Sequence, residues 1–256
     1  MDWIPSNIAI YLNKIKKTYE GNKIPKIVFN GINIEIPKNK ITCLFGPSGS
    51  GKTTLLNILS GLDKNFEGER RIANEFKNAI IGYTFQSDLL LPWRTAYNNA
   101  RLGLELNGIE DNSIVDKLFT LFGISDFKNN YPGQLSGGMK RRVSIIRSLC
   151  IKPKLIFLDE PFSGIDFKIK EIIEEELLKQ SIRENQTIIF VTHDPNDAIT
   201  LSNKVILVAD ERNINYLDIE FASDVSGRNI RKVRKDKKFT KYREEILDVF
   251  KEQQTI

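Results

Sequence analysis

The sequence is poor in cysteine and histidine, and it has no long apolar run. Only Cys43 and Cys150 occur among the 256 residues, in neither a metal-ligand nor a redox spacing, so we expect a reducing, intracellular setting. No run approaches the roughly 18 apolar residues that a membrane-spanning helix needs. The first residues carry an acidic second position and lack the order of a signal peptide. We therefore expect a soluble chain that reaches a membrane only through a partner.

Most of the net charge lies in one segment. Residues 228–238 contain seven basic residues and one acidic residue, so their net charge exceeds the +5 of the whole chain. The rest of the chain is close to neutral, so it does not resemble a nucleic-acid-binding surface, and we expect no nucleic-acid partner. The basic segment has two interpretations, a solvated run of charge or a patch that lies close to anionic lipid.

The apolar pattern predicts an α/β fold. Ile32, Ile34 and Ile36 alternate with polar residues, as in half-buried antiparallel strands. Continuous apolar runs then recur with helical patterns between several of them, as in a mostly parallel sheet that is buried on both faces. These runs are KITCLF, AIIGYTF, KLIFLD, TIIFVTH and KVILVAD. The pattern therefore predicts an N-terminal antiparallel subdomain beside a mostly parallel core.

The strand rhythm stops in the middle of the chain, from about residue 87 to residue 151. Helical patterns at 99–106, 113–122 and 136–151 replace the strands there, which predicts an inserted helical subdomain. We expect one domain over residues 1–226. A basic C-terminal segment, 227–256, would follow it and end in an amphipathic helix.

The segment GPSGSGKTT predicts a site for a nucleoside triphosphate. It fits the phosphate-loop pattern G-x-x-x-x-G-K-[ST] and lies between a buried-strand run and a helical one. Glycines let successive backbone N–H groups point into one concavity, where the start of a helix adds partial positive charge. We expect Lys52 to reach the β- and γ-phosphates and the Thr53 hydroxyl to bind Mg²⁺. The predicted nucleotide-binding residues here are Gly46, Pro47, Ser48, Gly49, Ser50, Gly51, Lys52, Thr53 and Thr54.

Polar residues at the ends of other predicted strands complete the phosphate chemistry. Asp159 and Glu160 end the run KLIFLD at the sheet edge where open α/β folds hold ligands. We assign Asp159 to the Mg²⁺ shell and Glu160 to polarising the attacking water. His193, the only histidine, ends another strand run, where it would contact the γ-phosphate or orient the water. Gln86 follows a third run and would touch Mg²⁺ or the water.

In this order the motifs resemble those of the ATPase subunit of ABC transporters. GPSGSGKTT resembles the Walker A loop of that family, Gln86 its Q-loop glutamine, LSGGM its signature, LIFLDEP its Walker B motif, SGID its D-loop and His193 its switch histidine. The resemblance covers about residues 8–210. It implies an α/β P-loop core, bound ATP and Mg²⁺, and ATP hydrolysis.

The resemblance also implies a dimer. In the family, two copies pair head to tail, so that each ATP lies between the Walker A loop of one and the signature of the other. Ser136, Gly137 and Gly138 would then cap the γ-phosphate held by a neighbour, and Asp166 would act across the dimer. Tyr19 stands where the family places an aromatic that stacks on adenine, although it can also be read as an ordinary surface tyrosine.

The remaining partners follow from the resemblance too. The apolar residues of SDLLLPWRTAYNN, directly after Gln86, lie where the family receives its transmembrane permease subunits. The tetrapeptide LLPW after Gln86 resembles the segment at this position in the importers of nitrate, sulfonate or taurine. An extracytoplasmic solute-binding protein would belong to such a system, and the ATPase would lie at the cytoplasmic face of the membrane.

Other functions fit the sequence less well. Non-transport members of the family act on ribosomes or DNA, but they carry two cassettes or long coiled-coil insertions, whereas 107 residues separate Lys52 from Asp159 here. A small-molecule kinase would explain the phosphate loop and leave the LSGGM motif and His193 without a role.

Overall fold

The computed structural model describes residues 4–20, 25–221 and 228–251, in which strands and helices follow in this order. The strands are β1 (Ile8–Tyr19), β2 (Lys26–Pro37), β3 (Ile41–Phe45), β4 (Glu67–Ile72), β5 (Ile81–Thr84), β6 (Leu155–Asp159), β7 (Thr187–Thr192), β8 (Lys204–Val208) and β9 (Ile214–Asp218). The helices are α1 (Lys52–Ser60), α2 (Ala96–Ala100), α3 (Leu102–Leu106), α4 (Ser113–Leu121), α5 (Gly137–Leu149), α6 (Phe167–Arg183), α7 (Pro195–Leu201), α8 (Ile230–Val233) and α9 (Lys237–Lys251).

The six-stranded sheet has the order β5-β6-β7-β3-β8-β9, and its strands are parallel except for β9. Strands β3, β6 and β7 are buried along their whole length, which is why their sequences are continuously apolar. Because parallel strands end at one edge, the segments that follow β3, β5, β6 and β7 all lie at the same edge of the sheet. This edge holds the phosphate loop.

The smaller sheet is antiparallel, with the order β2-β1-β4. It confirms the predicted N-terminal subdomain, and its alternation of buried and exposed residues matches the polar–apolar pattern of the sequence. Gly68 adopts φ +102, and a Cβ atom there would lie 2.5 Å from the carbonyl oxygen of Lys14. A glycine is therefore required where β4 passes over the irregular part of β1.

The helical subdomain is confirmed, with boundaries that differ by a few residues from the prediction. The helix predicted at 99–106 is two short helices that begin earlier, because the Thr95 hydroxyl accepts from Asn98 N at 3.3 Å and caps α2. Ser136, predicted inside a helix, is instead the residue that caps α5.

A buried asparagine fixes the loop that leads into the helical subdomain. Asn99 is fully buried, and its amide nitrogen donates to the carbonyl oxygens of Leu91, Arg94 and Thr95 at 3.1, 2.9 and 3.0 Å. Its amide oxygen accepts from Leu91 N at 2.7 Å. Residues 91–95 of the loop are therefore held by one internal side chain, while Leu89 and Trp93 remain 57% and 72% exposed.

The C-terminal segment packs onto the core. Ile246 of α9 is fully buried, and the ring of Phe250 lies 5.6 Å from that of Phe45 at the end of β3. Arg234 contacts Glu171 and Glu174 of α6 at 2.9 and 2.7 Å. Arg234 of the basic segment therefore forms ion pairs with acidic residues of α6. Neither interpretation of the segment, solvated charge or lipid contact, includes such pairs. The predicted boundary at 226 lies outside the described residues.

Both cysteines are buried and unlinked. Burial raises the pKa of the Cys43 thiol well above its usual value and that of Cys150 to about 12. Neither thiol has the depressed pKa of a reactive cysteine. Among the residues that the structure describes, no helix is both long and apolar enough to cross a membrane.

Candidate active site

The phosphate loop, residues 46–51, joins β3 to α1 at the carboxyl edge of the sheet. Gly49 and Gly51 adopt φ +82 and +96, and a Cβ atom at Gly51 would lie 2.6 Å from Val28. Gly46 has ordinary φ, but a Cβ atom there would lie 2.3 Å from the carbonyl oxygen of Val208. The glycines are thus required both for the turn and for close packing under it.

Lys52 is the first residue of α1 and is only 7% exposed. Its ammonium group donates to the carbonyl oxygen of Pro47 at 2.7 Å, so it lies across the loop. Burial lowers the pKa of Lys52, against the opposing charges of Glu160 and Asp159. A buried ammonium group in such a loop favours an incoming anion, which is what a phosphate supplies.

Thr53 and Asp159 are brought together although 106 residues separate them. The Thr53 hydroxyl donates to Oδ2 of Asp159 at 2.9 Å. Asp159 is 2% exposed, and its Oδ1 has no hydrogen-bond partner among residues 4–20, 25–221 and 228–251. Burial raises the pKa of Asp159, because a charged carboxylate is disfavoured away from water. A positive partner would stabilise the charged form. A buried orphan oxygen beside a hydroxyl fits Mg²⁺, which prefers hard oxygen ligands.

Glu160 and His193 form the second pair at this edge. Nδ1 of His193 lies 3.3 Å from Oε1 of Glu160. The Glu160 side chain is 21% exposed and that of His193 is 65% exposed, so the pair faces the open side of the site. Glu160 adopts φ +47, a left-handed conformation that is costly for a residue with a side chain.

An open cleft of about 300 Å³ is lined by half of the predicted nucleotide-binding residues. Tyr19, Gln86 and Glu160 line it together with the phosphate loop. The Tyr19 hydroxyl lies 3.3 Å from Oγ1 of Thr54, and its ring is 44% exposed. Lys26 lines the same cleft and was not predicted, since a lone lysine in a strand carries no sequence signal.

The predicted signature and D-loop residues do not line this cleft. Ser136 and Gly137 are exposed, and the Ser136 hydroxyl accepts from Met139 N at 3.3 Å to cap α5. A Cβ atom at Gly138 would lie 2.6 Å from the carbonyl oxygen of Gly164. Asp166 is exposed and caps α6 by accepting from Ile169 N at 3.1 Å. Signature and D-loop therefore lie side by side on the surface.

Arg141 is the residue of this region that the sequence did not single out. Arg142 of the same helix contacts the helical subdomain, at the carbonyl oxygen of Phe122 (3.0 Å). Arg141 instead turns inward, is 3% exposed and donates to backbone oxygens beside Gln86 and Glu160.

Comparison with known proteins gives consistent matches. The profile of the ABC transporter family matches residues 29–163. An uncharacterized ABC transporter ATP-binding protein of Methanocaldococcus jannaschii is 36% identical over 96% of this chain and 92% of its own length. The bicarbonate transport ATP-binding protein CmpD of Synechococcus elongatus is 31% identical, over 93% of this chain and 89% of its own.

Two further matches add an importer and a dimer. The aliphatic sulfonates import ATP-binding protein SsuB of Bacillus anthracis is 35% identical over 79% of this chain and 82% of its own length. A solved dimeric ATP-binding cassette, in a post-hydrolysis state with ADP and Pi, superposes with a TM-score of 0.77 at 30% identity. It is matched over 83% of this chain and 99% of that one.

Proposed function

This chain belongs to the ABC transporter family as an ATP-hydrolysing subunit, and from that premise we propose that two copies hydrolyse ATP at shared sites to drive import of a solute. The observation that carries the proposal is the separation of the motifs. The phosphate loop, Gln86 and Glu160 share one cleft, whereas the signature lies exposed outside it. Such a signature is available to the nucleotide of a second copy.

Within one chain, the loop amides and Lys52 hold the phosphates of ATP, and Tyr19 stacks on adenine. Thr53, Asp159 and Gln86 would hold Mg²⁺, which would supply positive charge to neutralise the phosphates. The hydrogen bond between Thr53 and Asp159 and the orphan oxygen of Asp159 support this assignment.

Glu160 polarises the attacking water, and His193 orients it or contacts the γ-phosphate. The contact of 3.3 Å between the two side chains supports a joint role, because the histidine restricts the rotamers of the carboxylate. A single positioned base of this kind contributes about 10²- to 10⁴-fold to the rate.

The second copy supplies Ser136, Gly137 and Gly138 to the γ-phosphate, and Asp166 acts across the same interface. The two glycines allow close backbone approach, and the start of α5 attracts an anion. The solved dimer of a similar cassette, bound to ADP and Pi, supports this pairing.

The transmembrane partners bind at the exposed side chains of Leu89 and Trp93, directly after Gln86. Exposed apolar residues of this size favour a protein contact. The solute is proposed to be of the nitrate, sulfonate or taurine type, delivered by an extracytoplasmic solute-binding protein. The aliphatic sulfonates importer supports this, whereas the bicarbonate relative supports only transport of a small solute. This chain would then lie peripherally at the cytoplasmic face of the membrane.

Replacement of the proposed base tests the chemistry. Glu160→Gln should lower the ATP hydrolysis rate by at least about 100-fold while ATP still binds, since the amide cannot polarise water. Glu175→Gln, an exposed glutamate of α6, is the matched control and should hydrolyse ATP normally. Normal hydrolysis by Glu160→Gln would refute the base assignment.

Mixed dimers test the shared site. Lys52→Ala and Ser136→Arg chains with different tags should each be inactive alone. A purified mixed dimer keeps one site with an intact loop and an intact signature, so it should hydrolyse ATP. Inactivity of verified mixed dimers would contradict a composite site.

A further inference from the structure

The guanidinium group of Arg141 is surrounded by backbone oxygens from two segments of the candidate active site. Nη1 donates to the carbonyl oxygen of Phe85 at 2.5 Å and lies 3.4 Å from Oδ1 of Asp88. Nη2 donates to the carbonyl oxygen of Glu160 at 2.6 Å and also to that of Asp159. One side chain of the signature helix therefore joins the segment of Gln86 to the end of β6.

The two carbonyl groups bound by Nη2 flank a single Cα atom. The oxygen of Asp159 belongs to the peptide plane before Glu160, and the oxygen of Glu160 belongs to the plane after it. Holding both planes fixes φ and ψ of Glu160 together. Glu160 has φ +47, so its backbone needs such support to remain where it is.

Packing alone does not account for a charged group at this position. Arg141 is 3% exposed, and the carboxylate nearest to it, that of Asp88, is itself 23% exposed and 3.4 Å away. Burying a cation is costly even with carboxylates nearby, and an apolar side chain would fill the space without that cost. An apolar residue could not donate hydrogen bonds to three carbonyl oxygens, as the planar guanidinium group does.

We propose that Arg141 is a positioning residue for ATP hydrolysis, which holds Glu160 in its left-handed conformation and fixes its place relative to Gln86. The inference rests on the proposed role of Glu160 as the base. Arg141 does not line the nucleotide cleft. Its loss therefore slows the chemical step and leaves ATP binding largely unchanged.

Arg147 provides the matched control on the same helix. Its guanidinium donates to the carbonyl oxygens of Asp88 and Leu89 at 3.0 and 2.9 Å. It thus anchors the same loop from α5, and the structure gives it no contact with Asp159 or Glu160 among the described residues. An effect shared by both arginines would come from the loop, and an effect of Arg141 alone would come from Glu160.

The test uses the full chain with Arg141→Gln, Arg141→Lys and Arg147→Lys, each measured for kcat, KM for ATP with Mg²⁺, and thermal midpoint. Lysine keeps the buried charge but cannot bind all three carbonyl oxygens in the geometry of the guanidinium group. We expect kcat to fall at least tenfold in both Arg141 variants, with KM within threefold of the original chain. Arg147→Lys should stay within twofold in kcat.

A second measurement separates positioning from a structural effect. Single-turnover hydrolysis is compared for Glu160→Gln and for Glu160→Gln with Arg141→Lys. If Arg141 acts through Glu160, the second change adds less than a twofold loss once the carboxylate is gone. A further tenfold loss would show that it acts elsewhere and overturn the proposal.

The other outcomes also decide. Unchanged kcat in the Arg141 variants, with Glu160→Gln inactive, overturns this inference and leaves the proposed function standing. Failure of both Arg141 variants to fold assigns the residue a purely structural role and overturns it as well. Normal hydrolysis by Glu160→Gln instead refutes the base assignment, and the positioning role falls with it.

Discussion

Glu174→Gln should flatten the dependence of stability on pH. Glu174 lies on α6, has a fully buried side chain, and contacts Arg234 at 2.7 Å. Burial raises its pKa from 4.5 to about 7, although the charge of Arg234 acts in the opposite direction. Asp197 and Glu171 raise the pKa further, and Lys170 lowers it. The folded protein therefore binds a proton here that the unfolded chain releases.

The sign and size follow from linkage. A raised pKa in the folded state stabilises the protein at low pH, and this stabilisation is lost as pH rises through about 7. A tenfold difference in proton affinity corresponds to about 1.4 kcal/mol. Proton binding by Glu174 then contributes about 2–3 kcal/mol to the free energy of unfolding at pH 5 and almost nothing at pH 8.

Urea titrations from pH 5 to pH 8 measure this difference. The free energy of unfolding of the original chain minus that of Glu174→Gln should fall by about 2–3 kcal/mol across the range. Glu175→Gln, whose glutamate is 51% exposed, should give a curve parallel to that of the original chain. Parallel curves for Glu174→Gln itself would mean that Glu174 stays ionised in the folded protein, and would refute the reasoning.

Three further changes test packing and the site. Ile246→Ala should lower the free energy of unfolding by about 2–5 kcal/mol in urea titrations, because Ile246 is fully buried. Glu244→Ala, on the exposed face of the same helix, should leave the free energy of unfolding almost unchanged. Gly138→Ala should destabilise the chain by about 1–3 kcal/mol, since its Cβ atom would meet the carbonyl oxygen of Gly164 at 2.6 Å. Gly137→Ala, with open space around its Cβ atom, should not, and equal thermal midpoints would contradict the contact. Tyr19→Ala should weaken ATP binding about tenfold in a fluorescence titration, because the ring would stack on adenine. Tyr19→Phe keeps the ring and should bind ATP normally. A similar loss in Tyr19→Phe would point to the hydroxyl contact with Thr54 instead.

Local patterns predicted the phosphate loop and the strands that support it. The loop residues 46–54 are contiguous, and the buried strands β3, β6 and β7 have continuous apolar sequences, so both features are visible in a short window. Because the strands are parallel, their order along the chain was enough to bring Gln86, Asp159 and Glu160 to one edge of the sheet.

Contacts between distant segments were not predictable in this way. Arg141 binds carbonyl oxygens of residues that are 56, 19 and 18 positions away. Every residue has a backbone oxygen, so residue types do not show which ones Arg141 binds. The basic run at 228–238 suggested solvent or lipid, yet Arg234 reaches Glu174, 60 residues earlier. In both cases the residue type was visible, but the burial that gives it a partner depends on the tertiary fold.

The way Asn99 holds the loop before α2 has a consequence for evolution. Four hydrogen bonds to one buried amide fix residues 91–95 of the loop, and Arg147 fixes the carbonyl groups of Asp88 and Leu89. Leu89 and Trp93, which face outward from the same loop, contribute little to folding. Mutations at these two positions are therefore nearly neutral for the fold, so this surface can change in sequence without compensating changes in the interior.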